Sequence, residues 1–214
     1  MKKITFIISL AVIAVFAAST LFAAGDSGKI WDEILKITEK CTDNVSYTMK
    51  TNSKTGGQAV STNMKFYFKN VKNYRVDSDA AGQKTRMVLT DKAAWVYIEA
   101  QNVVTNMDHS AIESIDIKAS LEKQKSAADV SEGKDGANVT YTITERETKT
   151  KTVFTVDNKL GVFTKMQVYD AKGELLTEAV YGDWKFAKIS DDTFKKPEGA
   201  KEMTMPAPSA PEKK

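Results

Sequence analysis

The sequence predicts a mainly β (α+β) fold: one highly curved antiparallel sheet of about 11 strands, a half-open β-barrel with helices over its concave face. Three observations predict it. Short runs of alternating apolar and polar residues recur at even intervals, Val, Thr, Tyr and Phe dominate these runs, and two segments have helical periodicity. Two helices have no place in a closed sandwich, whereas they could cover one curved sheet.

The first 24 residues are predicted to be an export signal. Lys2 and Lys3 precede an almost unbroken apolar run from Phe6 to Ala18, and small residues follow up to Ala24. A positive region, an apolar core and a small-residue cleavage site are typical of secretory signal peptides. We therefore expect a periplasmic protein. An uncleaved anchor is the alternative, because the apolar stretch could just span a bilayer.

Residues 25–202 are long enough for one domain with a substantial core, and residues 203–214 form a Pro-rich tail that is predicted to be disordered. The chain has 31 basic and 28 acidic residues. Removal of Lys2 and Lys3 with the signal leaves 29 basic against 28 acidic residues, so the domain is nearly neutral. No basic stripe with interleaved aromatic residues occurs, and nucleic-acid binding has no support.

Residues that enzymes use for covalent or metal chemistry are scarce in this chain. Cys41 is the only cysteine, and its helical spacing from Ile37 predicts a buried apolar role. The one histidine, His109, lacks partners at zinc-ligand spacing. No Gly-x-Ser-x-Gly elbow and no phosphate-binding glycine motif is present. We expect no enzyme, metal site or cofactor; a secreted hydrolase that uses His109 is the remaining alternative.

The first structured element is predicted to be a helix at residues 29–42, because Ile30, Ile34 and Ile37 repeat at helical spacing and charged residues occupy the other face. After it the period changes from 3.6 to 2, which indicates strands. Strands are predicted at residues 45–49, 60–68, 73–78, 84–90, 93–99, 102–107, 138–145, 149–156, 162–170, 174–181 and 184–189.

A second helix interrupts this succession of strands. Residues 110–125 step at helical intervals, and Ile112, Ile115 and Leu121 are predicted to form the apolar side of a lid over the concave face. The polar, glycine-containing residues 126–137 are predicted to be a mobile loop.

Large, soft side chains are expected on the concave side of the half-barrel. Alternate residues of each strand point to the same face, and methionine suits a lining that must accept acyl chains of variable shape. For any single residue, a place in the core beneath a helix is the alternative. The predicted lining residues are Met64, Phe66, Phe68, Met87, Leu89, Trp95, Tyr97, Met166 and Val168.

Several short motifs follow one another along the chain in the same order as in a known group of proteins. They are the strand pairs at residues 64–76 and 95–104, the turn Asp157-Asn-Lys-Leu-Gly161, the strand end Asp170-Ala-Lys-Gly173 and the ending Phe194-Lys-Lys-Pro197-Glu-Gly199. Together they resemble the LolA/LolB/RseB superfamily of outer-membrane lipoprotein-sorting and periplasmic lipid-binding proteins. The resemblance covers most of the chain after the signal.

The resemblance implies a monomeric periplasmic carrier or chaperone that binds lipid or lipoprotein acyl chains in its concave groove for transfer towards the outer membrane. Its implied partners are an inner-membrane release complex and an outer-membrane acceptor. Lipoprotein carriers of the superfamily typically show Arg-Pro where this chain has Lys69-Asn70-Val71, and lysine keeps the charge without the guanidinium fork. Lys69 and Arg75 are predicted charged residues at the groove rim. An envelope sensor or interaction module, with a protein or lipoprotein partner in the same groove, is the alternative.

Overall fold

Two helices and twelve strands follow one another in the computed structural model, which describes residues 27–55, 58–108 and 117–204. The predicted signal at residues 1–24, His109 and the predicted lid residues Ile112 and Ile115 lie outside the described residues. So does the predicted tail beyond Thr204.

The elements have the following bounds. The helices are α1 (Ser27–Lys40) and α2 (Ile117–Ala127), and short 3-10 helices occur at Glu99–Gln101 and Asp191–Phe194. The strands are β1 (Val45–Thr55), β2 (Gln58–Asn70), β3 (Asn73–Ala80), β4 (Gln83–Leu89), β5 (Ala94–Ile98), β6 (Val103–Met107), β7 (Ala128–Asp135), β8 (Asn138–Glu145), β9 (Lys151–Asp157), β10 (Val162–Tyr169), β11 (Leu175–Phe186) and β12 (Lys201–Thr204).

All twelve strands belong to one sheet, in the order β12-β6-β5-β4-β3-β2-β1-β11-β10-β9-β8-β7. Every neighbouring pair is antiparallel except β12 and β6, which are parallel. β12 and β7 are the two edges, so the sheet is open. The predicted mainly β fold with a half-open sheet and two helices is confirmed. Strands β7 and β12 were not predicted, and two predicted strands form the single strand β11.

Helix α1 packs against one face of the sheet, which we call the inner face; the opposite face is the outer face. Its buried residues are Ile30, Trp31, Ile34 and Ile37, the stripe that the helical spacing predicts. Lys40 lies in the last turn, where a positive charge is favourable beside the helix carbonyl end. The helix therefore forms where it was expected and covers the sheet with its apolar side.

A second, smaller core lies on the outer face. After β11 the chain crosses this face, and Ile189 and Phe194 pack against Val88, Trp95 and Val104. These three strand residues come from β4, β5 and β6, and the inner-facing Leu89 of β4 and Ala94 of β5 are also buried at the same end. The sheet is thus buried on both faces at this end of β4 and β5.

The prediction of a loop at residues 126–137 is wrong, because most of these residues form strand β7. β7 pairs with β8 along its whole length, from Ala128 opposite Glu145 to Asp135 opposite Asn138. Gly136, with a φ of 60°, makes the turn between them. The strand is polar because it is an edge of the sheet, where charged side chains protect against association with other chains. β7 is a strand because its backbone pairs with β8, and its residues do not have the apolar alternation by which strands are predicted.

The two strands predicted at residues 174–181 and 184–189 form the single strand β11. The ladder with β1 continues from Thr48 opposite Gly182 to Ser46 opposite Lys185, so β11 advances one residue more than β1. Such an extra residue is a β-bulge, and Asp183 within it has a left-handed φ of 52°. The bulge interrupts the alternation of side chains, which made the segment look like two strands.

The start of the predicted disordered tail also needs correction. Met203 and Thr204 belong to β12, which pairs with β6 from Lys201 opposite Val103 to Thr204 opposite Asn106. All four residues of β12 are exposed, so no apolar signal marks the strand.

The outer core gives a stability prediction. Phe194 is 9% exposed and fills the contact with Val88 and Trp95, so Phe194→Ala should lower the free energy of unfolding by about 3–5 kcal/mol in urea titrations. Met203→Ala is the control, because that side chain is 59% exposed and its loss should change stability by less than about 0.5 kcal/mol. Equal, small effects of both substitutions would refute a core at this position.

Candidate functional site

The inner face is the apolar surface that the sequence predicted as a groove lining. Pairing of the strands brings seven of the nine predicted residues onto it, and all seven are part of the core cluster beneath α1. They are Met64, Phe66, Phe68, Met87, Leu89, Met166 and Val168. Six of them are buried and Met87 is half-buried.

The remaining two predicted lining residues, Trp95 and Tyr97, lie on the outer face. Leu89 pairs with Ala94 and Met87 with Val96, so the inner-facing residues of β5 have even numbers. Trp95 instead pairs with Val88 and is 2% exposed in the outer core. β5 has apolar side chains on both faces of the sheet, and only its register with β4 decides which of them lie on the inner face.

Aromatic rings form a continuous row on the inner face across β11, β1, β2 and β3. The rings of Trp184 and Tyr47 lie 4.2 Å apart, those of Tyr47 and Phe66 4.8 Å, and those of Phe68 and Tyr74 5.4 Å. Stacked rings at these distances stabilise each other beyond the burial of their area. The row forms the central part of the inner face.

Three members of this row, Tyr47, Tyr74 and Trp184, were not predicted as lining residues. The alternation in residues 45–49 carries the signal for Tyr47, which shares a face with Val45 and Met49. Tyr74 could be found only by its pairing with Phe68. Trp184 follows the bulge in β11, where counting alternate residues fails.

Five methionines on β1 to β10 also share the inner face. By strand pairing, Met49 lies opposite Met64, and Met107 lies opposite the inward-facing Ala94. The full set comprises Met49, Met64, Met87, Met107 and Met166, all within or packed against the inner core. Methionine is flexible and polarizable, and it is common on surfaces that bind apolar partners of variable shape.

The two helices cover this face to different degrees. α1 buries four side chains, whereas α2 buries only Leu121 and Gln124 and packs mainly on α1 and β7. Leu121, the one predicted lid residue within the described part of the chain, is buried in the inner core cluster. Lys125 of α2 lies 3.9 Å from Asp32 of α1, which is a partly exposed and weak link between the helices.

Burial determines the protonation of three groups beneath α1. It raises the pKa of the Cys41 thiol to about 12, partly opposed by a backbone hydrogen bond from Phe163. It also raises the pKa values of the Tyr47 and Tyr181 hydroxyls. All three groups are neutral at physiological pH, and the thiol is not a nucleophile in this setting.

Two buried polar atoms, Gln124 Oε1 and Trp184 Nε1, have no hydrogen-bond partner within the part of the chain that the structure describes. A buried polar atom without a partner is costly and is usually satisfied by water or a ligand. The inner region therefore contains one acceptor and one donor that are available to a bound molecule.

The two predicted rim charges hold the chain segment that covers the outer face. Lys69 Nζ lies 2.6 Å from Asp191 Oδ1, and this contact lowers the pKa of the Asp191 carboxyl. Arg75 Nη1 donates to the backbone oxygen of Thr193 at 3.2 Å, and its other nitrogens bind Asp77. Both side chains lie on the outer face. The prediction that they line the rim of a groove on the inner face is therefore wrong.

Among residues 27–55, 58–108 and 117–204, no cluster of three or more His, Cys, Asp or Glu side chains has the geometry of a metal site. No helix in these ranges is long and apolar enough to span a bilayer.

Comparison with known proteins identifies the fold. No protein-family model and no curated protein matches the sequence. An uncharacterized conserved protein from Thermus thermophilus is similar in structure, with a TM-score of 0.56, 12% identity and coverage of 85% of this chain and 100% of that chain. A LolA superfamily protein, NE2245 from Nitrosomonas europaea, matches with a TM-score of 0.41, 11% identity and coverage of 81% and 99%.

MucB is also similar, with a TM-score of 0.53, 14% identity and coverage of 84% of this chain and 66% of MucB. The chain thus spans about two thirds of the length of MucB. A structure of MucB in complex with MucA(peri) matches with a TM-score of 0.51, 14% identity and coverage of 84% and 63%. At these identities the matches with TM-scores above 0.5 show a shared fold alone, and the fold expected from the resemblance is confirmed.

Burial of Cys41 predicts a loss of stability at alkaline pH. The folded state keeps the thiol proton up to pH about 12, whereas the unfolded chain loses it near the ordinary value of 9.0. The resulting stabilisation is complete below pH 9 and is lost as pH rises towards 12. It falls by roughly 1 kcal/mol between pH 9 and pH 10.

Urea titrations of the wild type and of Cys41→Ala at pH 8, 9 and 10 measure this effect. The substitution leaves a small cavity, which lowers stability by the same amount at each pH. The difference between the two plots of stability against pH therefore reports the ionisation of the thiol. The variant should lose less stability than the wild type above pH 9. Parallel pH profiles would show that Cys41 is accessible to solvent.

Proposed function

We propose that the protein is a periplasmic carrier that binds acyl chains of a lipoprotein or lipid against the inner face of the sheet and carries them towards the outer membrane. The composition of the inner face is the observation that supports the proposal most strongly. Five methionines and a row of stacked aromatic rings converge on one face, and two helices share the task of covering it. The shared fold with MucB is compatible with this proposal.

An acyl chain could bind this surface with little polar recognition. Burial of an acyl chain contributes about 0.8 kcal/mol per methylene, so a chain of ordinary length supplies substantial affinity. Methionine side chains can adjust to the position of such a chain at low cost. Trp184 Nε1 is a free donor within this region, and an ester carbonyl of the ligand could accept its hydrogen bond.

We expect a helix to move when the ligand binds, because most large side chains of the inner face are buried in the described structure. α2 is the element that we expect to move, since it buries two side chains and α1 buries four. The Lys125–Asp32 contact then acts as a latch between the two helices. α1 would remain on the sheet, with Cys41 shielded beneath it.

A protein partner in the same groove is the second candidate function. The specific support is the structure of MucB in complex with MucA(peri), which shares the fold of this chain. An envelope sensor of this kind would bind an extended or helical segment of its partner where the carrier binds an acyl chain.

Lipid binding is tested directly by native mass spectrometry of protein from the periplasm and by titration with a fluorescent fatty acid. We expect a co-purifying lipid mass and a saturable change in fluorescence.

Met87→Glu places a charge at a half-buried position of the inner face and should weaken fatty-acid binding at least tenfold. Leu176→Glu is the matched control, because that side chain is exposed on β11 and its substitution should leave affinity unchanged. Absence of lipid and of fatty-acid binding, with recovery of a single protein partner, would favour the sensor.

The latch is tested by the rate of fatty-acid uptake in stopped flow. Lys125→Glu puts three carboxylates together at Asp32 and Glu122, which should loosen α2 and accelerate uptake several-fold. Lys123→Glu makes the same charge change on an exposed position of the same helix and should have no effect.

The reactivity of Cys41 separates movement of α2 from movement of α1. Its labelling by iodoacetamide should stay slow in Lys125→Glu and during ligand uptake, because α1 continues to cover the thiol. Fast labelling that accompanies uptake would show that α1 leaves the sheet, and would contradict α2 as the lid.

A further inference from the structure

A trough crosses the outer face of the sheet, on the side opposite the proposed acyl-chain site. It has a volume of about 570 Å³, within the range of ligand pockets. Strand pairing arranges the outward-facing residues of its lining in two rows across β11, β1, β2, β3 and β4, and one row continues onto β5. Met49, Met64, Ser78, Thr85 and Tyr181, at the alternate positions of these strands, also contribute to the lining. The first row is Gly182, Thr48, Lys65, Asp77, Arg86 and Tyr97; the second is Val180, Lys50, Asn63, Asp79 and Lys84, with Glu99 beyond it.

Most charges at the β3–β5 end of the trough are already paired. Asp77 accepts hydrogen bonds from Arg86 and Arg75, and Lys84 lies 3.6 Å from Glu99. Asp79 accepts the backbone N–H of Gly82 through one oxygen. This end therefore has little net charge to attract a ligand.

The β1–β2 end has a different character, because its two lysines form no ion pair among the described residues: Asp77 lies opposite Lys65 but is bonded to Arg75 and Arg86. Lys50 has no ion-pair or hydrogen-bond partner among the described residues, and Lys65 lies over the ring of Tyr67, 5.1 Å from its centroid. Asn63 is directly opposite Lys50 and two residues from Lys65, and its amide has no hydrogen bond within the described chain. The only carboxylate bonded at this end is Asp183, which accepts from the Thr48 hydroxyl at 2.9 Å.

Three free donors thus occupy adjacent positions on two strands. Residues directly opposite each other have Cβ atoms about 4.5–5.5 Å apart and diagonal neighbours about 7–8 Å, a separation that lysine side chains can bridge. The two ammonium groups have the same charge, and an anion shared between them would remove their repulsion.

From this arrangement we propose that the outer trough is a binding site for a phosphate monoester, with the phosphate held by Lys50, Lys65 and the Asn63 amide. A phosphate monoester carries a charge of about −1.5 to −2 at pH 7, which two ammonium groups neutralise, and its three terminal oxygens can each accept from one of the three donors. A carboxylate has half the charge and two oxygens. The remainder of the ligand extends along the trough towards Asp79 and Tyr97, where hydroxyl groups would find an acceptor and a ring.

The phosphate could belong to a soluble ester or to a lipid headgroup, and two probes separate these sources. Glycerol 3-phosphate is titrated into the full-length exported protein and followed by NMR chemical shifts of backbone amides. Vesicles of phosphatidylcholine, with and without phosphatidic acid, are tested by co-sedimentation. The double substitution Lys50→Gln/Lys65→Gln removes both ammonium groups, and Lys54→Gln/Lys123→Gln makes the same charge change at exposed lysines outside the trough.

Glycerol 3-phosphate should shift amides of β1 and β2 in a saturable manner, and its affinity should fall at least tenfold in the Lys50/Lys65 variant and less than twofold in the control. Vesicle binding that needs phosphatidic acid and the same two lysines would assign the site to a headgroup; absence of vesicle binding would assign it to a soluble ester. The proposal is wrong if neither probe binds, or if both double variants respond alike. Fatty-acid binding by the Lys50/Lys65 variant, measured in parallel, is expected to be unchanged because the inner face is intact.

Discussion

The packing of α1 on the inner face is the contact on which the rest of the structure depends. Twelve strands at about 4.8 Å spacing make a surface roughly 50 Å across, whereas a helix is about 10 Å wide. Ile30, Trp31, Ile34 and Ile37 are buried where α1 packs near β10 and β7, and each side chain of this size contributes about 1.5–3 kcal/mol by burial. A single helix cannot cover the whole face. The half-buried residues around it, such as Met87, are the physical reason why this face can accept another apolar molecule.

The outer face has its own cover, which comes from the end of the described chain. The segment after β11 buries Phe194 over Trp95, and two cations, Lys69 and Arg75, bind it through Asp191 and the backbone of Thr193. This cover reaches one end of β3 to β6 and leaves the other end of the outer face to solvent. β4 and β5 therefore have a core on both faces at one end, and at the other a polar trough on the outer face.

Local pattern was sufficient to predict part of this arrangement. Met64 and Phe66 alternate within one strand, so the sequence alone places them on one face and close to each other. Trp95 lies in a strand that is apolar on both sides, and its direction depends on register with β4, which no local pattern contains. β7 has a polar sequence and exists through pairing with β8, and the bulge at Asp183 interrupts the count in β11. Long-range pairing, and not composition, accounts for each of these errors.

The alternation of strand residues also separates the two proposed sites chemically. Met49 and Met64 face inwards, while their sequence neighbours Lys50 and Lys65 face the trough. A phosphate on the inner face would lose its hydration without a cation to replace it, which costs several kcal/mol. A phosphate is therefore excluded from the inner face, although the two surfaces share the backbone of β1 and β2. A molecule with both an acyl chain and a phosphate could not occupy both sites of one protein through a short linkage, because the sheet lies between them.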